Sequence, residues 1–379
     1  MTTARAFDSE EQRLEHFGRA IGEIHRRVQS EVGASDVRRI VRLQRFCRVM
    51  EVAGRLLIHA SPEPVSFGLG VGCLWVYKQL QTTEIGHTVL HGAYDKLPGA
   101  EAFRSATYVW EAPIDEASWR AGHNHKHHQF TNVAGRDPDI NFGGIRLTAQ
   151  TPYRRGHATQ LASVFLVSWP FFTWSMNMHF TGMMDVYGVQ GWADRFDVIE
   201  TRDRATVISV HKRALRKWGK KLAIEYVLFP ALAGPFFWKV ALGNWLSERM
   251  RDVYSAATIY CGHVGDEVAS YPEGTRAGSR GRWYAMQVEA SNNFEVAWPF
   301  NVLCGGLEHQ IEHHLFPKLP PERLRQVAPE VAAACAEHGV TYRSASWGRT
   351  LAKSIRHLAA LSGPTRDGDV PRPSAAALA

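Results

Sequence analysis

Thiols are scarce in this sequence. Five cysteines, Cys47, Cys73, Cys261, Cys304 and Cys335, are scattered over 379 residues without a C-x-x-C pair. That excludes a disulfide framework and a thiolate metal site. Zinc-finger spacing, an RNA-recognition signature and a glycine-rich phosphate loop are missing too. The formal charge of +7 therefore points to an anionic membrane surface, not to nucleic acid. The N-terminal stretch MTTARAFDSEEQRLEHF lacks the apolar core of a secretory signal, so the chain is expected to face a reducing cytosol. Apolar residues make up 45% and charged residues 21%, as in ordinary globular proteins. A simple bundle of apolar spans is excluded; if lipid is involved, only part of the chain meets it.

Histidine is plentiful, and it is clustered. Glu308–Leu315 reads E-H-Q-I-E-H-H-L, with His309, His313 and His314 in six residues. On a helix, His309 and His313 are i, i+4 neighbours, as are Gln310 and His314. His87 and His91 form an H-x-x-x-H pair, and His123, His125, His127 and His128 a third set. Three such clusters converging on one place would make a nitrogen-rich metal centre. Imidazole suits zinc, copper, iron and nickel. One ion needs about four ligands, so eight or more histidines imply two ions. No H-E-x-x-H zinc-hydrolase motif is present. Two redox-active irons beside a membrane suit O2 activation against an unactivated C–H bond. Asp137, Asp139, Asp266, Glu308 and Glu312 lie near enough in sequence to orient the imidazoles.

The expected architecture is all-α: a membrane-embedded helical bundle of about four spans with a cytosolic helical cap. Residues 1–36 read as a polar or surface helix, 37–362 as the membrane domain and 363–379 as a disordered tail. The spans are expected at Val41–Ala60, Val65–Leu80, Leu222–Ala241 and Leu242–Cys261. His157–Met184, aromatic and kinked at Pro170, reads as interfacial or re-entrant, since a single crossing would put the basic stretch 201–221 on the wrong side.

These residues resemble the integral-membrane fatty-acid desaturases, with three histidine boxes and a non-haem di-iron site. EIGHTVLHGAYD is similar to box one, HNHKHHQFTNVAGRDPDI to box two, and GGLEHQIEHHLFPKLPPERL to box three in its Q-x-x-H-H form, frequent in front-end and linoleoyl-type desaturases and their bacterial relatives. The resemblance implies metal ligands at His87, His91, His123, His127, His128, Gln310, His313 and His314, with His309 as an alternative to Gln310. It also implies one at His263, which closes the last span in YCGHVGDE. Some relatives carry an asparagine one turn before that histidine; here the position is Ile259, leaving Asn292 or Asn293 as substitutes. The remaining histidines, His179 among them, are assigned to structure or surface.

The implied reaction removes hydrogen from two neighbouring methylenes of an acyl chain, using two ferrous ions and O2 as co-substrate. The implied substrate is a fatty-acyl chain linked to coenzyme A, acyl-carrier protein or a lipid. No H-P-G-G haem motif and no flavin or nicotinamide glycine motif occurs, so a separate ferredoxin or reductase is expected to supply electrons. Two alternatives stay open: a related di-iron hydroxylase, and a non-catalytic membrane protein that binds zinc.

Overall fold

The computed structural model describes residues 9–142, 144–189 and 196–364. The tail expected at 363–379 lies, from residue 365 on, outside them. The fold is all-α; its strands, β1 (Asn293–Glu295) and β2 (Ser344–Ser346), pair in parallel for three residues each.

Helix α1 (Glu10–Glu31) opens at Ser9, whose side chain accepts from the Gln12 amide at 3.2 Å. Leu14, Phe17, Ile21 and Val28 lie on one stripe and are buried. Fully burying such a side chain stabilises by about 1.5–3 kcal/mol. The stripe packs into a cap formed with a helix at Arg280–Glu289 and another at Pro321–Glu337. A Cβ on Gly281 would stand 1.9 Å from the Leu14 carbonyl, so only glycine permits this crossing.

Helices α2 (Ala34–Ala60) and α3 (Pro64–Leu80) form an antiparallel hairpin. Pro64 opens α3, capped by the Glu63 carboxylate on the Ser66 amide at 2.8 Å. Two further long helices, α4 (Arg204–Leu222) and α5 (Phe237–His263), complete the bundle, and α5 packs along α3.

Among the described residues no helix is long and apolar enough to cross a membrane. The four expected spans are thus not found as apolar crossings. α3 has only 17 residues. Leu222–Ala241 is broken into a π-helical turn at Ala223–Leu228, a short helix around Pro230 and a 3-10 turn at Gly234–Phe236. α5 carries Asn244, Ser247, Glu248, Arg251, Asp252 and Ser255, all buried. His157–Met184 is likewise split, its longest helix running only from Phe172 to Thr181.

The polar residues that lower the hydropathy face inward. Glu225 accepts from Arg55 at 2.7 Å and from Lys78 at 3.1 Å, with Lys221 at 3.4 Å. Glu248 lies 3.6 Å from Lys78 and 3.5 Å from Lys221. Outward stand apolar side chains: Phe46, Val49, Val52 and Leu56 on α2, and Phe237, Trp238, Leu242 and Trp245 on α5. The buried charges adjoin an apolar core between α2, α3 and α5 that includes Ile58, Leu74 and Val240.

Glu225→Ala leaves Lys78 and Lys221 to share Glu248 and Arg55 with Glu51 at 3.7 Å. It is expected to cost about 3–5 kcal/mol, seen as a lower thermal midpoint of the purified protein. An unchanged midpoint would show that the network does not hold the bundle.

A histidine-lined candidate metal centre

Box one leaves α3 through a π-helical stretch, Gln81–His87, and box two forms another, Arg120–His127. The wider π turn brings residues five apart to one side. His123 and His128 therefore face each other, their Nε2 atoms 3.2 Å apart. In box one the His87 and His91 Nε2 atoms are also 3.2 Å apart. Gly86 is required here: a Cβ would stand 2.0 Å from the Trp110 indole nitrogen, which donates to the Gln81 carbonyl at 3.2 Å. Trp110 in turn abuts Trp119, which stacks on His123 with ring centres 4.5 Å apart.

Box three forms a short helix, Gln310–Leu315, held at its start by Asn293, whose side-chain oxygen accepts from the Ile311 amide at 2.9 Å. His263, the last residue of α5, meets it: its Nε2 is 2.9 Å from that of His314 and 2.7 Å from the Gln310 amide nitrogen. The rings of His87 and His91 each lie 4.7 Å from His313, and His128 lies 4.4 Å from His314. All nine residues expected as ligands converge. Seven of them form two groups, His87, His91, His123 and His313 on one side and His127, His263 and His314 on the other, ligand atoms within 4.8 Å in each group. Gln310 turns inward, whereas His309 turns to Glu312 at 3.8 Å and joins neither group. Asn292 and Asn293 face Glu267 and Glu312, not the rings.

The tautomers follow from the outer nitrogens. His123 Nδ1 meets Asp139 at 3.2 Å, His127 Nδ1 meets Asp137 at 3.0 Å, and His314 Nδ1 meets Gln287 at 3.0 Å. Each such N–H is held by an oxygen, so the Nε2 lone pairs point into a shared void. His127 Nε2 and His313 Nε2 are buried without a hydrogen-bond partner. Burial pushes His87, His91, His128, His313 and His314 well below the usual imidazole range, keeping them neutral as ligands must be. Burial also lowers His127, but Asp137 and Asp139 outweigh it and raise the group to about 9. Two nitrogens about 2.0–2.1 Å from one ion, at ~90–110°, stand roughly 2.9–3.4 Å apart. The three Nε2 pairs fall in that window, so the donor set fits bound metal.

Asp137 and Asp139 do what the sequence suggests, orienting box two. Glu308 instead pairs with Arg325 at 2.6 Å. Two features had no sequence signal. Gln287 lies 27 residues from His314. The other is an apolar-walled cavity with His87, His123, His127, His263 and Gln310 in its lining. Trp110, Phe142, Phe172, Met176, Phe180 and Ile259 line the rest.

Residues 63–346 match the family model described as fatty acid desaturase. The chain belongs to this family. It is 31% identical over 363 residues to the NADPH-dependent stearoyl-CoA 9-desaturase of Mycobacterium tuberculosis, covering 93% of this chain and 81% of that protein. It is 24% identical over 270 residues to the sn-1 linoleoyl-lipid 6-desaturase of Synechocystis, covering 68% of this chain and 70% of that one. With Delta(8)-fatty-acid desaturase 1 of Arabidopsis thaliana it shares 25% over 314 residues, 78% of this chain and 63% of the relative. Family membership makes this desaturase-family chain an oxidoreductase of lipid metabolism.

Gln287→Leu removes the oxygen that accepts from both His314 Nδ1 and Thr131 Oγ1, leaving Thr131 as the partner of His314 Nδ1 at 3.1 Å. It is expected to weaken metal binding about 10–100-fold, measured as iron retained against a competing chelator with helical content unchanged. Equal retention would show that Gln287 does not orient His314.

Proposed function

We propose that this protein is an O2-dependent fatty-acyl desaturase with a non-haem di-iron centre. One observation carries the reading: nine donors, eight imidazoles and one side-chain amide, converge beside an apolar-walled cavity. His87, His91, His123 and His313 would hold one iron, and His127, His263 and His314 the other, with His128 and Gln310 between. Bound there, the irons would supply O2 activation beside a saturated acyl chain.

The chain's own residues bind and orient. Trp110, Met176, Phe180 and Ile259 wall the cavity and fix which methylene faces the imidazoles. Filling it with hydrocarbon excludes water. Trp119 backs the rings of His87, His91 and His123, at 5.6, 5.2 and 4.5 Å between ring centres, and keeps them from turning. In balance, two hydrogens leave adjacent carbons, and O2 takes them with two electrons and two protons from outside. A double bond and two waters result. The electrons come from a separate ferredoxin or reductase, and the substrate is a CoA-, carrier- or lipid-linked acyl chain.

The protein is proposed to sit in a bilayer with its centre on the cytosolic face. The outward apolar side chains support this. Val52 and Leu56 are 57% and 65% exposed on one stripe of α2, and Leu232 and Phe236 are 69% and 59% exposed beyond α4. Apolar surface on this scale marks an interaction face.

His313→Ala is expected to lose iron and activity while helical content stays. Purified parent protein should hold about two irons and little zinc. Mass spectrometry of product should show the loss of two hydrogens; a gain of oxygen would establish a hydroxylase, and zinc in place of iron a metal-binding protein. Val52→Lys with Leu56→Lys should release the protein from membranes, since each charge costs about 2.5–3.5 kcal/mol at the centre of a span. Undiminished recovery with carbonate-washed membranes would contradict lipid contact at α2.

A further inference from the structure

We propose that His179 is a positioning residue: it anchors the Asp139 carboxylate and, through it, holds the His123 ring toward the metal centre. The inference rests on the di-iron reading above. His179 lies on the helix Phe172–Thr181, far in sequence from every histidine box, and is 1% exposed. Its Nε2 has no hydrogen-bond partner. Neither has Asp139 Oδ1, and the two atoms lie 3.9 Å apart. Two buried polar atoms thus face each other, each with its need unmet elsewhere.

The other carboxylate oxygen is already committed. Asp139 Oδ2 accepts from His123 Nδ1 at 3.2 Å and stands 3.7 Å from His127 Nδ1. His127 has its own closer acceptor in Asp137, so Asp139 serves chiefly His123. Left to pivot, the carboxylate would let the His123 ring rotate about χ2. The Asp139 amide donates to Asp137 at 2.9 Å, which fixes the backbone but not the side chain. His179 fixes the side chain. Phe142 and Phe180 lie beside its ring, each 5.1 Å away between centres, and Asp139 Oδ1 stands 3.9 Å from Nε2. Asp139 also lines the cavity. An acyl chain there strips water from the carboxylate, and a buried carboxylate without full pairing is costly.

The test compares full-length, iron-loaded parent protein with His179→Leu, His179→Gln and His179→Asn. Gln can donate from the place of Nε2; Asn is too short to reach Asp139. The readouts are iron retention against a chelator, the Mössbauer doublets of the ferrous centre and kcat against KM. In His179→Leu, iron retention should fall about tenfold, one doublet should change its splitting, and kcat should fall with KM near the parent value. His179→Gln should restore all three and His179→Asn should not. If the Leu variant does not accumulate, the Gln and Asn pair decides. A Leu variant with parental spectrum and retention, or Gln and Asn behaving alike, overturns the proposal. A parent protein that takes up no iron overturns the functional reading instead.

Discussion

The structure depends on an electrostatic demand. Oxygen acceptors at Asp139, Asp137 and Gln287 hold the outer nitrogens of His123, His127 and His314, so their inner lone pairs point at one another. Bare lone pairs about 3 Å apart repel unless a cation lies between them. The fold must keep them there in its absence. It does so with rigid parts: π turns in boxes one and two, a helix end at His263, and Trp119 filling the space behind three rings.

The buried charges of the bundle serve the same requirement. α3 and α5 bear the two arms that reach the centre, one through box one and one through His263. Their mutual register sets where those imidazoles meet. Apolar contact alone does not define a register, because it is non-directional. Directional bonds do. Lys78 on α3 donates to the Asn244 carbonyl on α5 at 3.2 Å, and Gln79 accepts from Ser255 at 3.2 Å. Buried polar and charged groups here position the two helices against each other.

Much of the centre was legible in the sequence because its ligands are short-range motifs. The spacing in H-x-x-x-H or Q-x-x-H-H survives in any helical backbone, and His263 is marked by its place at a helix end. The choice between Gln310 and His309 was open because both fit an ideal helix; the 3-10 turn at Leu307–His309 rotates His309 away. The π turns were not legible, since one extra residue per turn leaves no compositional trace. Gln287 and His179 act across distances that only folding closes. The spans were misjudged for a physical reason too. Hydropathy averaged along a helix cannot separate a polar face packed on protein from one exposed to lipid, and Glu248 to Ser255 are of the first kind.

Cavity and centre share walls, and this couples choice of substrate to metal geometry. Ile259 and Tyr260 line the cavity one turn before His263 on the same helix, and Phe180 lines it one residue after His179. Gly122 lies against Phe180, where a Cβ would stand 2.5 Å from the ring, so the box-two backbone and the cavity wall touch directly. A change that widens the cavity for another chain therefore shifts the elements that carry His123 and His263. Packed interiors relax only in part after such changes. Under the proposed function, altered chain selectivity should come at least cost to the centre from changes at Leu147 and Ala149, which line the cavity on a stretch of chain that carries none of the nine donors.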